Sequence, residues 1–235
     1  MSDEVHDPPP MSPIAAVAYT VTLPLGLLAL VFGPVGRLTW LPGWVFIGVL
    51  VGAFGASAAV LAVVNPMIYR ARSRFQDGTK GWDLVLLAIM LPALVAIIPV
   101  GTLDAGRLHL SPALPLWGEA AGYLALVAGI AGTGWAQAVN PFFEPGVRIQ
   151  TERHQHVIDT GPYRYVRHPG YLFALMIFLG APLALASLWA LVPGAIASVL
   201  LIWRTALEDR LLRADLTGYA DYARRVRGRL IPGIW

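Results

Sequence analysis

Two stretches in the second half of the chain carry most of the residue types that could do chemistry. The first, residues 140–169, is rich in polar side chains and holds three histidines: His154, His156 and His168. The second begins at the adjacent carboxylates Glu208 and Asp209 and continues into an arginine-rich tail. Histidine, carboxylate and arginine side chains can hold a metal ion, move a proton or bind a charged ligand.

The spacing of the histidines does not favour a metal site. His154 and His156 are two residues apart, and neither a helical pair four residues apart nor an H-E-x-x-H motif accompanies them. The chain has no cysteine, which excludes thiolate nucleophiles, disulfides and cysteine-ligated zinc. We therefore expect no bound metal.

The carboxylate pair needs cations. Glu208 and Asp209 follow Trp203 at the end of a long apolar stretch, where a buried carboxylate costs several kcal/mol unless it is paired. Arg164 and Arg167 could reach the pair from the first polar stretch. Local pairing is the alternative, with the cations that flank the pair in sequence: Arg204 and Arg210.

Composition identifies the elements that must position these groups as membrane helices. The chain is 57% hydrophobic and 13% charged, against about 25% charged in an ordinary soluble domain, and its mean hydropathy is +0.63. These values exclude a conventional soluble domain and intrinsic disorder. Four stretches reach the roughly 20 apolar residues that a crossing needs: residues 14–35, 43–64, 83–100 and 116–139.

A fifth apolar stretch, residues 171–203, is long enough for two crossings. Pro182, Ser187 and Pro193 lie near its middle and favour a helical hairpin there. The expected fold is an all-α polytopic membrane bundle of six transmembrane helices, or five if this stretch is one long helix. We divide the chain into a disordered tail (1–13), N-terminal transmembrane helices (14–139) and a core (140–235). The acidic, proline-rich tail does not resemble a cleaved signal peptide.

The basic residues separate by side if the spans number six. All of the 17 lysines and arginines except Arg37 and Arg107 then fall on one side, which the positive-inside rule places in the cytoplasm with both termini. Both polar stretches share that side, so a cytoplasmic site is expected. For some basic residues, orientation and contact with anionic lipids are sufficient explanation: Arg70, Arg72 and Arg74. Three glycine stripes predict helix packing: Gly48/Gly52/Gly55, Gly118/Gly122 and Gly129/Gly132.

Two sequence blocks resemble a known enzyme family. GPYRYVRHPGY (Gly161–Tyr171), a long apolar stretch, the acidic pair and GYADYARRVRGRLIPGIW (Gly218–Trp235) are similar to the isoprenylcysteine carboxyl methyltransferase (ICMT) family and to the related membrane phospholipid N-methyltransferases. The resemblance covers residues 137–235. The acidic pair, usually Glu-Glu in that family, is Glu-Asp here, so the second carboxylate has a shorter reach.

The resemblance implies a cofactor and roles for individual residues. The cofactor is S-adenosyl-L-methionine, and the reaction is a direct in-line methyl transfer that requires alignment and exclusion of water. Implied cofactor-binding residues are Gln155, His156, Val157 and Ile158 along the adenine, Tyr163, His168 and Tyr171 lining the pocket, and Glu208 and Asp209 on the ribose or the methionyl amine. Arg167 and Glu208 are the implied catalytic residues. A sulfonium cofactor suits aromatic faces and carboxylates.

The acceptor is open. A lipid-like or prenylated carboxylate or amine could enter between helices, past walls formed by Pro141-Phe142-Phe143 and Trp203. The expected partners are that substrate and membrane lipids, not nucleic acid. Lys80 is the single lysine among the basic residues, which is typical of a GC-rich prokaryotic genome and indicates a bacterial inner membrane. The alternatives are a sterol-reductase-like enzyme that uses NADPH and a non-catalytic membrane scaffold or transporter.

Overall fold

The computed structural model describes residues 13–72 and 75–235, and the regular elements in these ranges are all helices. They are α1 (Pro13–Val35), α2 (Leu41–Val64), α3 (Met67–Arg72), α4 (Gly81–Leu103), α5 (Leu116–Val139), α6 (Pro169–Ala184), α7 (Leu191–Asp215) and α8 (Tyr219–Arg225). A π-helical turn (Asp104–Leu108) extends α4, and short 3-10 turns lie at Thr151–Arg153 and Gly161–Arg164. The predicted all-α fold is confirmed. The predicted N-terminal tail and Arg74 lie outside the described residues, except for Pro13, which begins α1.

The apolar stretch 171–203 forms two helices, as the hairpin prediction requires. α6 ends at Ala184 and α7 begins at Leu191, and Ala186 between them adopts a left-handed conformation (φ 55°). The Ser187 amide donates to the Pro182 carbonyl (3.0 Å), so the turn is hydrogen bonded to the last turn of α6. α7 continues to Asp215 and carries Glu208 and Asp209.

The six long helices alternate in direction between two faces of the bundle. At one face, called the site face here, the end of α2 meets the end of α5, where the Asn65 side chain donates to the Gln137 carbonyl (2.8 Å). At the same face the start of α4 meets α7, where Arg204 donates to Asp83 (2.6 Å). At the opposite face the end of α4 meets α1, where the Thr102 hydroxyl donates to the Leu30 carbonyl (3.3 Å). The turn that extends α4 meets the hairpin turn there, where the Ser187 hydroxyl donates to Asp104 (2.6 Å). This alternation agrees with the six-helix arrangement expected from sequence.

Membrane-crossing character is clearest for three of these helices. Within the described residues, Leu41–Val64, Gly81–Leu108 and Leu191–Asp215 are long and apolar enough to span a membrane, and Thr22–Val35 and Pro169–Ala184 are shorter apolar helices. Large hydrophobic side chains on the outside of the bundle are exposed, among them Val63 at 84% and Leu124 at 72%. Outward-facing apolar surface of this kind is what a bilayer covers.

Glycines of α5 let α6 approach closely. A Cβ on Gly122 would lie 2.3 Å from the Ala184 amide nitrogen, and one on Gly132 would lie 2.2 Å from the Phe173 ring. Gly129 also packs on α6, so the predicted packing role is confirmed for these three positions. The packing prediction is wrong within this chain for four others, because their added Cβ would meet only the nearby Leu114 and Pro115 or nothing within 4 Å: Gly118, Gly48, Gly52 and Gly55.

Candidate active site

A cavity opens at the site face between the 140–158 segment, the start of α6, the second half of α7, and α8. Nearly all the site residues expected from sequence line it: Gln155, His156, Val157, Ile158, Tyr163, Arg167, His168, Tyr171 and Glu208. The hairpin carries the chain away from this face and back, which brings the two polar stretches together around one space. Asp209 is the exception: it is fully buried and does not line the cavity.

Glu208 presents a carboxylate to the cavity. The Tyr171 hydroxyl donates to Glu208 Oε2 (2.5 Å) and accepts a hydrogen bond from Arg204 Nη1 (2.8 Å). In the described part of the chain no group donates to Glu208 Oε1. The Tyr171 ring stacks parallel to the His168 ring with centroids 5.7 Å apart. The wall therefore offers a negative charge beside aromatic faces, which suits a cationic ligand.

Asp209 serves a different purpose from its neighbour. Its carboxylate is fully buried, and His168 Nε2 lies 3.4 Å from Oδ1. It accepts hydrogen bonds from four other side chains: Arg167, Arg213, Tyr219 and Arg229. The shortest joins Arg167 Nε to Asp209 Oδ1 at 2.7 Å. These contacts occupy both carboxylate oxygens, and the cofactor contact that the resemblance implies for Asp209 stays a prediction. Asp209 thus links α7, the turn at Arg167–Pro169 (the RHP turn) and the tail.

Arg167 reaches the cavity wall but is held by the protein. Its Nε and Nη2 donate to Asp209, and its Nη1 donates to the carbonyls of Val226 and Arg227 (both 2.7 Å). The side chain is 2% exposed. A guanidinium has five N–H groups, so this geometry leaves one for a ligand. Arg167 thus fixes the tail, whatever part it has in catalysis.

The C-terminal tail closes one side of the cavity. The Arg167 amide donates to the Gly228 carbonyl (3.0 Å) and the His168 amide to the Arg229 carbonyl (2.9 Å). The Tyr222 hydroxyl donates to the Tyr163 carbonyl (2.6 Å). Burial raises the pKa of both the Tyr163 and the Tyr222 phenol above its ordinary value, so both remain neutral hydrogen-bonding groups.

The 140–158 segment is held by ion pairs in its middle and has unpaired backbone groups near its end. Arg148 joins Glu144 and Glu152 (2.7 Å to each), and its hydrogen bond lowers the pKa of Glu152. Within the described chain, the amides and carbonyls of residues 156–158 make no backbone hydrogen bond. Unpaired N–H and C=O groups beside a cavity can bind the polar edge of a planar ligand.

Several predicted groups lie outside this arrangement. Phe142 and Phe143 line the cavity, but Trp203 does not, because it faces outward on α7 and is 56% exposed. Arg164 and Arg210 are exposed and have no carboxylate within 4 Å among the described residues. The structure gives Asp209 the longer-range partner Arg167, whereas Arg204 reaches Glu208 through Tyr171.

The sequence interpretation missed the partner of Arg204. Arg204 Nε and Nη2 donate to the two oxygens of Asp83, at the start of α4 (2.6 and 3.0 Å), and Asp83 is fully buried. The available signal was a carboxylate at the first turn of an apolar span, since such a group requires a cation. Tyr219 and Tyr222, to which the sequence analysis assigns no role, also line the cavity.

A known protein family matches the part of the chain that forms most of the cavity. The family model for phospholipid methyltransferase matches residues 119–215, which run from the first turn of α5 to the end of α7 and include the RHP turn and Glu208. No curated protein matches the chain. Residues 119–215 are therefore similar to the phospholipid methyltransferase family.

Proposed function

We propose that this protein uses S-adenosyl-L-methionine to methylate a lipophilic acceptor at the site face of the bundle. The observation that carries the proposal is the carboxylate of Glu208, which lies in a cavity lined by aromatic side chains. Its Oε2 accepts a hydrogen bond from Tyr171, and among the described residues none donates to its Oε1. A membrane methyltransferase family matches the region that forms most of this cavity.

The chemistry of the lining fits that cofactor, which would supply a methyl group already activated by a sulfonium. Glu208 would hold its ribose hydroxyls or its amine, and the open backbone of residues 156–158 would hold the adenine edge. His168 and Tyr171, stacked at 5.7 Å, offer aromatic faces to positive charge. The last N–H of Arg167 is available to a carboxylate.

The residues of the chain would align the reactants and exclude water. An acceptor carboxylate is already ionised and would need only orientation. An acceptor amine must lose a proton. Glu208 could accept it, whereas Glu144, the other carboxylate that lines the cavity, is paired with Arg148. Asp209 would act by fixing the position of Arg167.

A lipophilic acceptor, lipid-like or prenylated, would approach from the bilayer past Phe142 and Phe143, two of the apolar side chains that line the cavity. The arginine-rich site face would be cytoplasmic by the positive-inside rule, in a bacterial inner membrane.

Isothermal titration with S-adenosylhomocysteine tests the proposal on the full chain in detergent. We expect micromolar binding by the wild type and a loss of at least tenfold in Glu208→Gln, which keeps the shape but not the charge. Glu119→Gln, at the opposite face in the first turn of α5, is the matched control and should bind normally. Failure of the folded wild type to bind, especially with binding of NADPH instead, would overturn the proposal.

A further inference from the structure

One residue outside the region that the family model matches makes contacts with residues that line the cavity. Asp83 lies at the start of α4, 36 residues before the matched region begins at residue 119, and its side chain is fully buried. It accepts two hydrogen bonds from Arg204, whose own side chain is 6% exposed. Charges this deeply buried must be paired, and this pair is bidentate.

Asp83 also holds the cavity-lining segment at Pro145–Val147. Asp83 Oδ2 accepts the Val147 amide (2.7 Å), and Arg204 Nη2 donates to the Pro145 carbonyl (2.7 Å). The Lys80 amide, one turn earlier, donates to the Val147 carbonyl (3.0 Å). The 145–147 segment is thus hydrogen bonded both to the start of α4 and to Arg204 of α7.

The same arginine leads to Glu208. Arg204 Nη1 donates to the Tyr171 hydroxyl (2.8 Å), which in turn donates to Glu208 Oε2 (2.5 Å). Arg204 directs the Tyr171 proton toward Glu208, because the guanidinium can only donate and the hydroxyl must then use its own proton elsewhere. Because Arg204 donates through Nε and Nη2 to Asp83, these two groups are directed away from Glu208.

We infer that Asp83 is a positioning residue of the cofactor site: acting through Arg204 and Tyr171, it keeps Glu208 oriented and free to bind a cationic ligand, and it fixes the 145–147 segment of the cavity wall. The inference rests on the proposed function for the identity of the ligand but not for the existence of the linkage.

The closing experiment compares Asp83→Asn with Asp104→Asn in the full chain. Asp104 is the matched control because it is also buried on the α4 segment and fully hydrogen bonded, but to Ser111 and Ser187 at the opposite face. We expect Asp83→Asn to weaken S-adenosylhomocysteine binding at least tenfold and Asp104→Asn less than threefold, measured on samples with matched folded fractions.

A double-mutant cycle separates positioning from general stability. If Asp83 acts on Glu208 through Arg204, the losses of affinity in Asp83→Asn and Arg204→Gln combine to much less than their product in the double variant, whereas independent losses would multiply. Wild-type affinity in a folded Asp83→Asn protein, or multiplying losses, would overturn the inference.

Hydrogen–deuterium exchange of the ligand-free protein gives a readout that does not depend on the proposed function. Exchange at the Val147 amide should rise at least tenfold in Asp83→Ala, which removes the acceptor that asparagine would keep, and stay unchanged in Asp104→Ala. If the wild type does not bind S-adenosylhomocysteine, the proposed function fails while this exchange result still decides the linkage. Unchanged exchange at Val147 would reject it.

Discussion

At the scale of single residues, two adjacent carboxylates take opposite roles because of helical geometry. Successive residues of an α-helix point about 100° apart, so Glu208 and Asp209 cannot face the same space. Glu208 faces the cavity, and Asp209 faces inward to a cluster of arginines. The shorter aspartate at the second position is compatible with this arrangement, because Arg167 and Arg229 extend to meet it.

Asp209→Asn should therefore loosen the tail. The substitution leaves Arg167 buried without its carboxylate, and breaking such a pair costs about 3–5 kcal/mol. We expect a lower unfolding temperature and faster trypsin cleavage at Arg224, Arg225 and Arg227 than in the wild type. Asp221→Asn is the control, because the Asp221–Arg224 pair is exposed and its loss should leave both measurements unchanged. Slow cleavage in Asp209→Asn would contradict the anchoring role.

At the scale of elements, the contact of α5 with α6 depends on glycine. α6 carries Tyr171 in its first turn, so its seating on α5 sets the position of the cavity wall. Gly122 lies against the backbone at Leu183 and Ala184, which cannot move aside as a flexible side chain could. Small residues at such contacts let membrane helices approach closely.

Gly122→Ala should destabilise the bundle, by about 1–3 kcal/mol as overpacking does. The added methyl would lie 2.3 Å from the Ala184 amide nitrogen. Gly52→Ala on α2 is the matched control, because its methyl would meet nothing within 4 Å. Thermal unfolding in one detergent compares the two. Equal unfolding temperatures for the two variants would show that the close contact does not limit stability.

The sequence predicted local elements better than it predicted pairing between them. Apolar length and the residues around Ser187 were enough to predict the hairpin, and the hairpin was enough to predict that both polar stretches share a face. The Asp83–Arg204 pair could not be found this way, since it joins positions 121 residues apart and no local pattern encodes it. Similarly, the Gly48/Gly52/Gly55 stripe has the same spacing whether it faces a helix or faces outward.

At the scale of the whole molecule, charge is segregated between the two faces. Arg37 and Arg107 lie at the opposite face, where each donates to a backbone carbonyl, of Gly106 and of Pro34 respectively. The other described basic residues lie at the site face or follow it in the tail. Such asymmetry is the pattern that orients helical membrane proteins during insertion. The bundle is therefore expected to insert with its cavity toward the cytoplasm, where soluble cofactors are supplied.

Because the chain has no cysteine, single cysteines can report this orientation without background. Thr217→Cys is exposed in the turn after α7 at the site face, and Leu110→Cys is exposed at the opposite face. In intact bacterial cells expressing each variant, a membrane-impermeant maleimide should label Leu110→Cys and should label Thr217→Cys only after permeabilisation. The reverse pattern would invert the proposed orientation and place the cavity away from its cofactor supply. Labelling of both in intact cells would mean that the two faces are not on opposite sides of the membrane, which would contradict the six-helix alternation.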